Sequence, residues 1–138
     1  MRIMAIDYGD AHTGIAISDP TGLLAGFTTV INSRRQEVVV EQVTALAKEH
    51  GAEELVLGHP VNMDGTLGPR SEKAKAMKAL LEEATSLPVV LWDERRTTID
   101  AHNILFNSGK NAKQRKKVVD AVAASLILEG YLTFKKSH

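Results

Sequence analysis

Residues 3–6 (IMAI) are an unbroken apolar run, the pattern of a strand buried on both faces. The run ends on Asp7. Residues 8–14 follow as a turn with Gly9 and Gly14 at its shoulders, and residues 15–17 form a second apolar run closed by Ser18-Asp19-Pro20. After a turn at Thr21-Gly22, residues 24–31 are rich in apolar and β-branched side chains and predict a third strand. Three strands with short links predict an antiparallel meander. Ser33 and Gln36 have capping-box spacing. Val39, Val43, Leu46 and Ala47 recur at helical intervals, and His50-Gly51 ends that helix.

The pattern then alternates between strand and helix. Residues 55–57 predict a short fourth strand, followed by a loop of turn formers, HPVNMDGTLGP. Pro69 suits the first turn of a second helix whose apolar face is Ala74, Met77, Leu80, Leu81 and Ala84. Residues 89–92 predict a fifth strand. Thr97 or Thr98 caps a third helix carrying Ile99, Ile104 and Leu105 to a stop at Asn107. Residues 110–117 are polar and basic, and a strongly apolar last helix spans about 116–132. The order β-β-β-α-β-α-β-α-α predicts an α/β fold. Its mixed five-stranded sheet is a meander at one side and parallel at the other, with helices on both faces. No internal repeat or linker divides the chain, so 1–138 reads as a single domain.

Composition narrows the chemistry. Lys plus Arg balances Asp plus Glu, 17 against 17, so any electrostatic reading must be local. The absence of cysteine excludes disulfides and thiolate metal sites. No apolar run approaches the ~18 residues of a membrane span, and a strand starting at residue 2 leaves no room for a signal peptide. A soluble, cytoplasmic protein without membrane partners is the expectation.

Three acids stand out. Asp7 ends an all-apolar strand, where a carboxylate is costly unless a cation, a metal or hydrogen bonds meet it; the alternative is a turn-capping Asp. Glu94 follows strand five. It shares an edge with Asp7 if the two strands run parallel, and is otherwise a solvated loop residue. Asp120 shares a helix face with Ala123, Ala124, Ile127 and Tyr131. A first-turn position favoured by the helix dipole is its other explanation. The two alanines would let the helix approach the sheet and bring Asp120 near Asp7. Converging carboxylates without thiolates suit a hard divalent ion, Mg²⁺ or Mn²⁺. Two such ions catalyse phosphodiester hydrolysis.

Lys110, Lys113, Arg115, Lys116 and Lys117 lie just before Asp120. Positive charge at a helix N-terminus opposes the dipole, so phosphate contact explains the run better than stability does, a solvated connector being the alternative. Arg70, Arg95 and Arg96 would extend the basic surface. The histidines lack ligand spacing and read as loop, cap or surface residues; Trp92 and Tyr131 read as core.

With these residues collected, the chain resembles the YqgF family, also called RuvX. The resemblance runs over about 2–132 and rests on IDYGDAHTGIAISD, NMDGTLGPRS, LPVVLWDER and RKKVVDAVAASLILEGYL. It implies a ribonuclease H-like fold and catalytic, metal-holding acids at Asp7, Glu94 and Asp120. The implied activity is that of a metal-dependent nuclease trimming the 5′ end of pre-16S ribosomal RNA. Resolution of branched DNA junctions, inferred for the family from RuvC, is the alternative. The rivals are a non-catalytic RNA-binding factor in ribosome assembly and a nucleotide-binding protein of the actin and sugar-kinase type. The latter fold uses two related domains, and this chain has room for one, with a single Asp-x-Gly motif. His12, His59 and Arg96 depart from the family pattern; none is one of the acids.

Overall fold

The computed structural model describes residues 1–19, 25–59, 68–93 and 112–137, with the backbone alone for 25, 112–120 and 136–137. Among the described residues, five strands and three helices follow in the order β1 (Arg2–Asp7), β2 (His12–Ser18), β3 (Ala25–Asn32), α1 (Gln36–His50), β4 (Ala52–His59), α2 (Pro69–Thr85), β5 (Val89–Asp93) and α3 (Ala112–Ser137). The sheet order is β3-β2-β1-β4-β5. The β1–β2 and β2–β3 pairs are antiparallel; β4 runs parallel to both β1 and β5. The meander and the parallel half are both present. The expected helix carrying Ile99, Ile104 and Leu105 lies outside the described residues.

Strand β1 is central and covered twice, which is why residues 3–6 are apolar without alternation. Met4 and Ile6 pack with Ile15, Ile17, Leu55 and Leu57 beneath α1 and α2. Ile3 and Ala5 pack with Ala16, Val56 and Trp92 beneath α3. Cross-strand partners Ala5 and Ala16 are both fully buried, as is Ala124 of the helix above them. These small side chains let α3 sit close to the sheet.

Several boundaries differ from those the sequence predicts. Helix α1 begins at Gln36 with Arg35 as N-cap, and no capping box forms. Ser33 Oγ instead accepts the Arg35 N–H at 3.1 Å, a local bond that competes with capping. Strand β4 reaches back to Ala52, beyond the apolar run, because Arg2 pairs with Ala52 and Ile3 with Glu54. Helix α2 buries Ser71, Ala74, Met77 and Leu81, leaving Leu80 and Ala84 exposed. Its stripe is rotated because Ser71 is held inside by His59. Pro69 does open the helix after Gly68.

Candidate active site and nucleic-acid interface

Asp7 is the last residue of β1 and is half-buried. Side chains alternate along a strand, so Asp7 shares the face of Ile3 and Ala5, the face α3 covers. Across the antiparallel ladder its partner is Gly14. On the other side, Ile6 pairs with Leu57, which puts Gly58 at the next position of β4. The row across the sheet therefore has a carboxylate with a glycine on each side, and then Trp92, the partner of Gly58. No neighbouring strand side chain crowds Asp7 on that face.

Asp120 lies in α3, one turn before the buried Ala124 and at helical spacing with Ile127 and Tyr131. The helix starts at Ala112, so Asp120 is not in the first turn. The dipole benefit fades within that turn and does not account for an acid here. Glu94 lies outside the described residues; the chain reaches it directly after Asp93, the end of β5. Strands β1, β4 and β5 run parallel, so Asp7, His59 and Asp93 all end at the same carboxyl edge, where open α/β sheets bind ligands. β1 and β5 are not neighbours, since β4 separates them.

Among the described residues no three His, Asp or Glu side chains gather as a ready metal cluster. The two remaining acids of the expected set fall outside those side chains. What is described fits a divalent ion in the type of donor: a carboxylate at the end of a strand paired on both sides, with a glycine as each cross-strand neighbour.

All of the basic run but Lys110 falls inside α3 rather than before it. Lys113, Arg115, Lys116 and Lys117 occupy its first two turns, and the first turn holds no acid. Lys110 and Arg95 lie outside the described residues. Arg70 is exposed in the first turn of α2. Sequence reading passed over Lys73, one turn further along α2. Its Nζ lies 3.1 Å from Asp10 Oδ1 in the β1–β2 turn. Lys73 beside it, and then Arg70 and Arg34, hold the Asp10 carboxyl below the usual range.

The histidines are structural where described. His59 Nε2 is 2.6 Å from the fully buried Ser71 Oγ, tying the end of β4 to the start of α2. His12 Nδ1 is 2.7 Å from Asn32 Oδ1 on neighbouring strands. His50 stacks on Phe27. Trp92 and Tyr131 are core, in edge-to-face contact with each other. No described helix is long and apolar enough to cross a membrane.

Three comparisons bear on this geometry. A family model described as RuvX, Holliday junction resolvase, matches residues 1–134. A protein of Halothermothrix orenii is 43% identical over 135 residues, covering 98% of this chain and 96% of its own. One of Geobacillus kaustophilus is 42% identical over 138 residues, 99% and 100% of the two chains. Both carry the name "Putative pre-16S rRNA nuclease". Among solved structures, Thermus thermophilus RuvC in complex with a Holliday junction superposes with a TM-score of 0.65 at 14% identity, over 99% of this chain and 96% of RuvC. That likeness establishes the ribonuclease H-like fold.

Proposed function

The chain belongs to the RuvX family, and from that premise we propose that this nuclease matures the 5′ end of pre-16S ribosomal RNA with divalent metal, Mg²⁺ or Mn²⁺, held by Asp7, Glu94 and Asp120. The observation that carries the reading is the placement of Asp7, at the end of the central strand between Gly14 and Gly58 and under the helix bearing Asp120. A pair of such ions, when bound, activates a water and stabilises the leaving oxygen of a phosphodiester.

The chain's own residues supply position and charge. Asp7 is held by a strand with paired neighbours on both sides, so its donor is preorganised. The glycines beside it let a phosphodiester approach the sheet edge closely. The cations of α3, with Arg70, Arg95 and Lys110, draw the substrate backbone to that edge. Together the residues 1–138 act as one nuclease domain, and the substrate places its work in the cytoplasm.

The test is cleavage by purified parent and Asp7→Asn, with and without Mg²⁺ or Mn²⁺, on precursor 16S RNA and separately on a four-way DNA junction. The expected result is metal-dependent cleavage of the RNA by the parent and none by the variant, with circular dichroism unchanged. Full activity in Asp7→Asn would overturn the site. Preference for the junction would move the substrate to branched DNA.

A further inference from the structure

On the α1 and α2 side of the carboxyl edge the β1–β2 turn meets two helix starts. The turn is compact: a Cβ on Gly9 would lie 2.3 Å from the His12 carbonyl oxygen. The Ser33 N–H donates to the Ala11 carbonyl at 3.0 Å, which fixes the segment carrying Arg34 beside the turn. Arg70 and Lys73 come from the first two turns of α2, on one side of that helix. A small depression of about 10 Å³, room for a single water, is lined by Tyr8, Gly9, Asp10, Gly58, Arg70 and Lys73, with Arg34 outside it.

Among the described residues Asp10 is the one carboxylate lining that depression, and Arg34, Arg70 and Lys73 are all within electrostatic reach of it. The chain is neutral overall, so this local surplus of cations is not a product of composition. Stability does not explain it either. The Asp10 and Lys73 side chains are 76% and 58% exposed, and exposed pairs contribute little. The surface begins at Tyr8 and Gly58, directly beside Asp7 and its row.

Resting on the nuclease reading above, we propose that Arg34, Arg70 and Lys73 form a second phosphate-contact surface, opposite the basic start of α3, which grips the backbone of the nucleic acid strand cut at Asp7. In the free protein the Asp10 carboxylate occupies Lys73; on binding, a phosphate oxygen takes its place as acceptor. Arginine forks suit such oxygens. The two basic segments then lie on opposite faces of the sheet with Asp7 at the edge between them, and the strand crosses that edge.

Two opposite signs make the idea testable. Fluorescence anisotropy of labelled single-stranded RNA, and of DNA with the same sequence, is measured in chelator across a salt series. The proteins are the parent, Arg34→Gln, Arg70→Gln, Lys73→Gln and Asp10→Asn. Each lost contact should flatten the log–log salt slope by about 0.7 and weaken binding about fivefold at roughly 0.1 M salt. Asp10→Asn should bind more tightly than the parent. Equal losses on RNA and DNA support contact with the shared phosphate backbone, whereas a loss confined to one sugar overturns it. Parent-like slopes in all three cation variants, with the parent itself binding, would also overturn it. Asp7→Asn, run alongside, separates the two ideas: if it still cleaves, the catalytic assignment fails while the slopes still decide this surface.

Discussion

Asp7 and Gly14 oppose each other directly across the antiparallel pair of β1 and β2. Opposed residues on one face have Cβ positions about 4.5–5.5 Å apart. A side chain at position 14 would thus stand beside the carboxylate, where the proposed metal would bind. Gly14→Val should keep the strand, since valine favours it, and lose the response to ions. A saturating ion at about 100 times its dissociation constant stabilises the folded state by about 2.7 kcal/mol. For the parent that is a rise of several degrees in melting temperature with Mn²⁺; for Gly14→Val the rise should be less than half. An equal rise in both proteins would show that position 14 borders no ion.

Asp120 lies beyond the first turn of α3, where the helix dipole gives it little, and the proposed site makes it one of three like charges. If Asp7, Glu94 and Asp120 meet at one edge as proposed, they repel each other without metal, and removing one relieves that repulsion. Asp120→Asn in chelator is expected to melt no lower than the parent, and up to a few degrees higher for a gain of about 1 kcal/mol. Mn²⁺ should raise the variant's midpoint much less than the parent's. Clear destabilisation in chelator with a full metal response would make Asp120 structural.

Ser71 is fully buried, and its hydroxyl has His59 as partner at 2.6 Å. Ser71→Ala removes a hydrogen bond with a net value of about 0.5–1.5 kcal/mol and leaves the imidazole without that partner. Denaturant unfolding should show a loss of this size at unchanged m-value. No loss would mean that water replaces the hydroxyl without cost.

Tyr131 gives the fold an alkaline limit. Its hydroxyl donates to Glu54, which Lys135 also meets at 3.3 Å. Burial first, then the bond to Glu54 and its charge, raise the phenol above its ordinary value. The folded state therefore holds this proton more tightly than the unfolded one. Its contribution is fully present below about pH 10, the unfolded tyrosine value, and is lost as pH rises toward the folded value. Above about pH 10 the parent should lose up to about 1.4 kcal/mol per pH unit more than Tyr131→Phe. Parallel pH curves for the two proteins would refute the coupling.

Periodicity alone determined the meander, the double burial of β1 and the apolar face of α3, because runs such as residues 3–6 are tolerated only where both faces are covered. It also singled out Asp7 and Asp120, since each interrupts an apolar pattern that local structure does not explain. Other features depend on partners distant in sequence. Strand β4 extends back to Ala52 through its pairing with Arg2 and Ile3, and Tyr131 and Lys135 meet its Glu54 carboxylate from α3. Ser71 replaces Leu80 on the buried side of α2 because the end of β4 brings His59 to it. Only the strand order β3-β2-β1-β4-β5 placed Gly14 and Gly58 on either side of Asp7, and only the β1–β2 turn brought Asp10 to Lys73. Helical and strand periods record which face is buried; which residues become neighbours is decided by pairing register and by the packing of helices on the sheet.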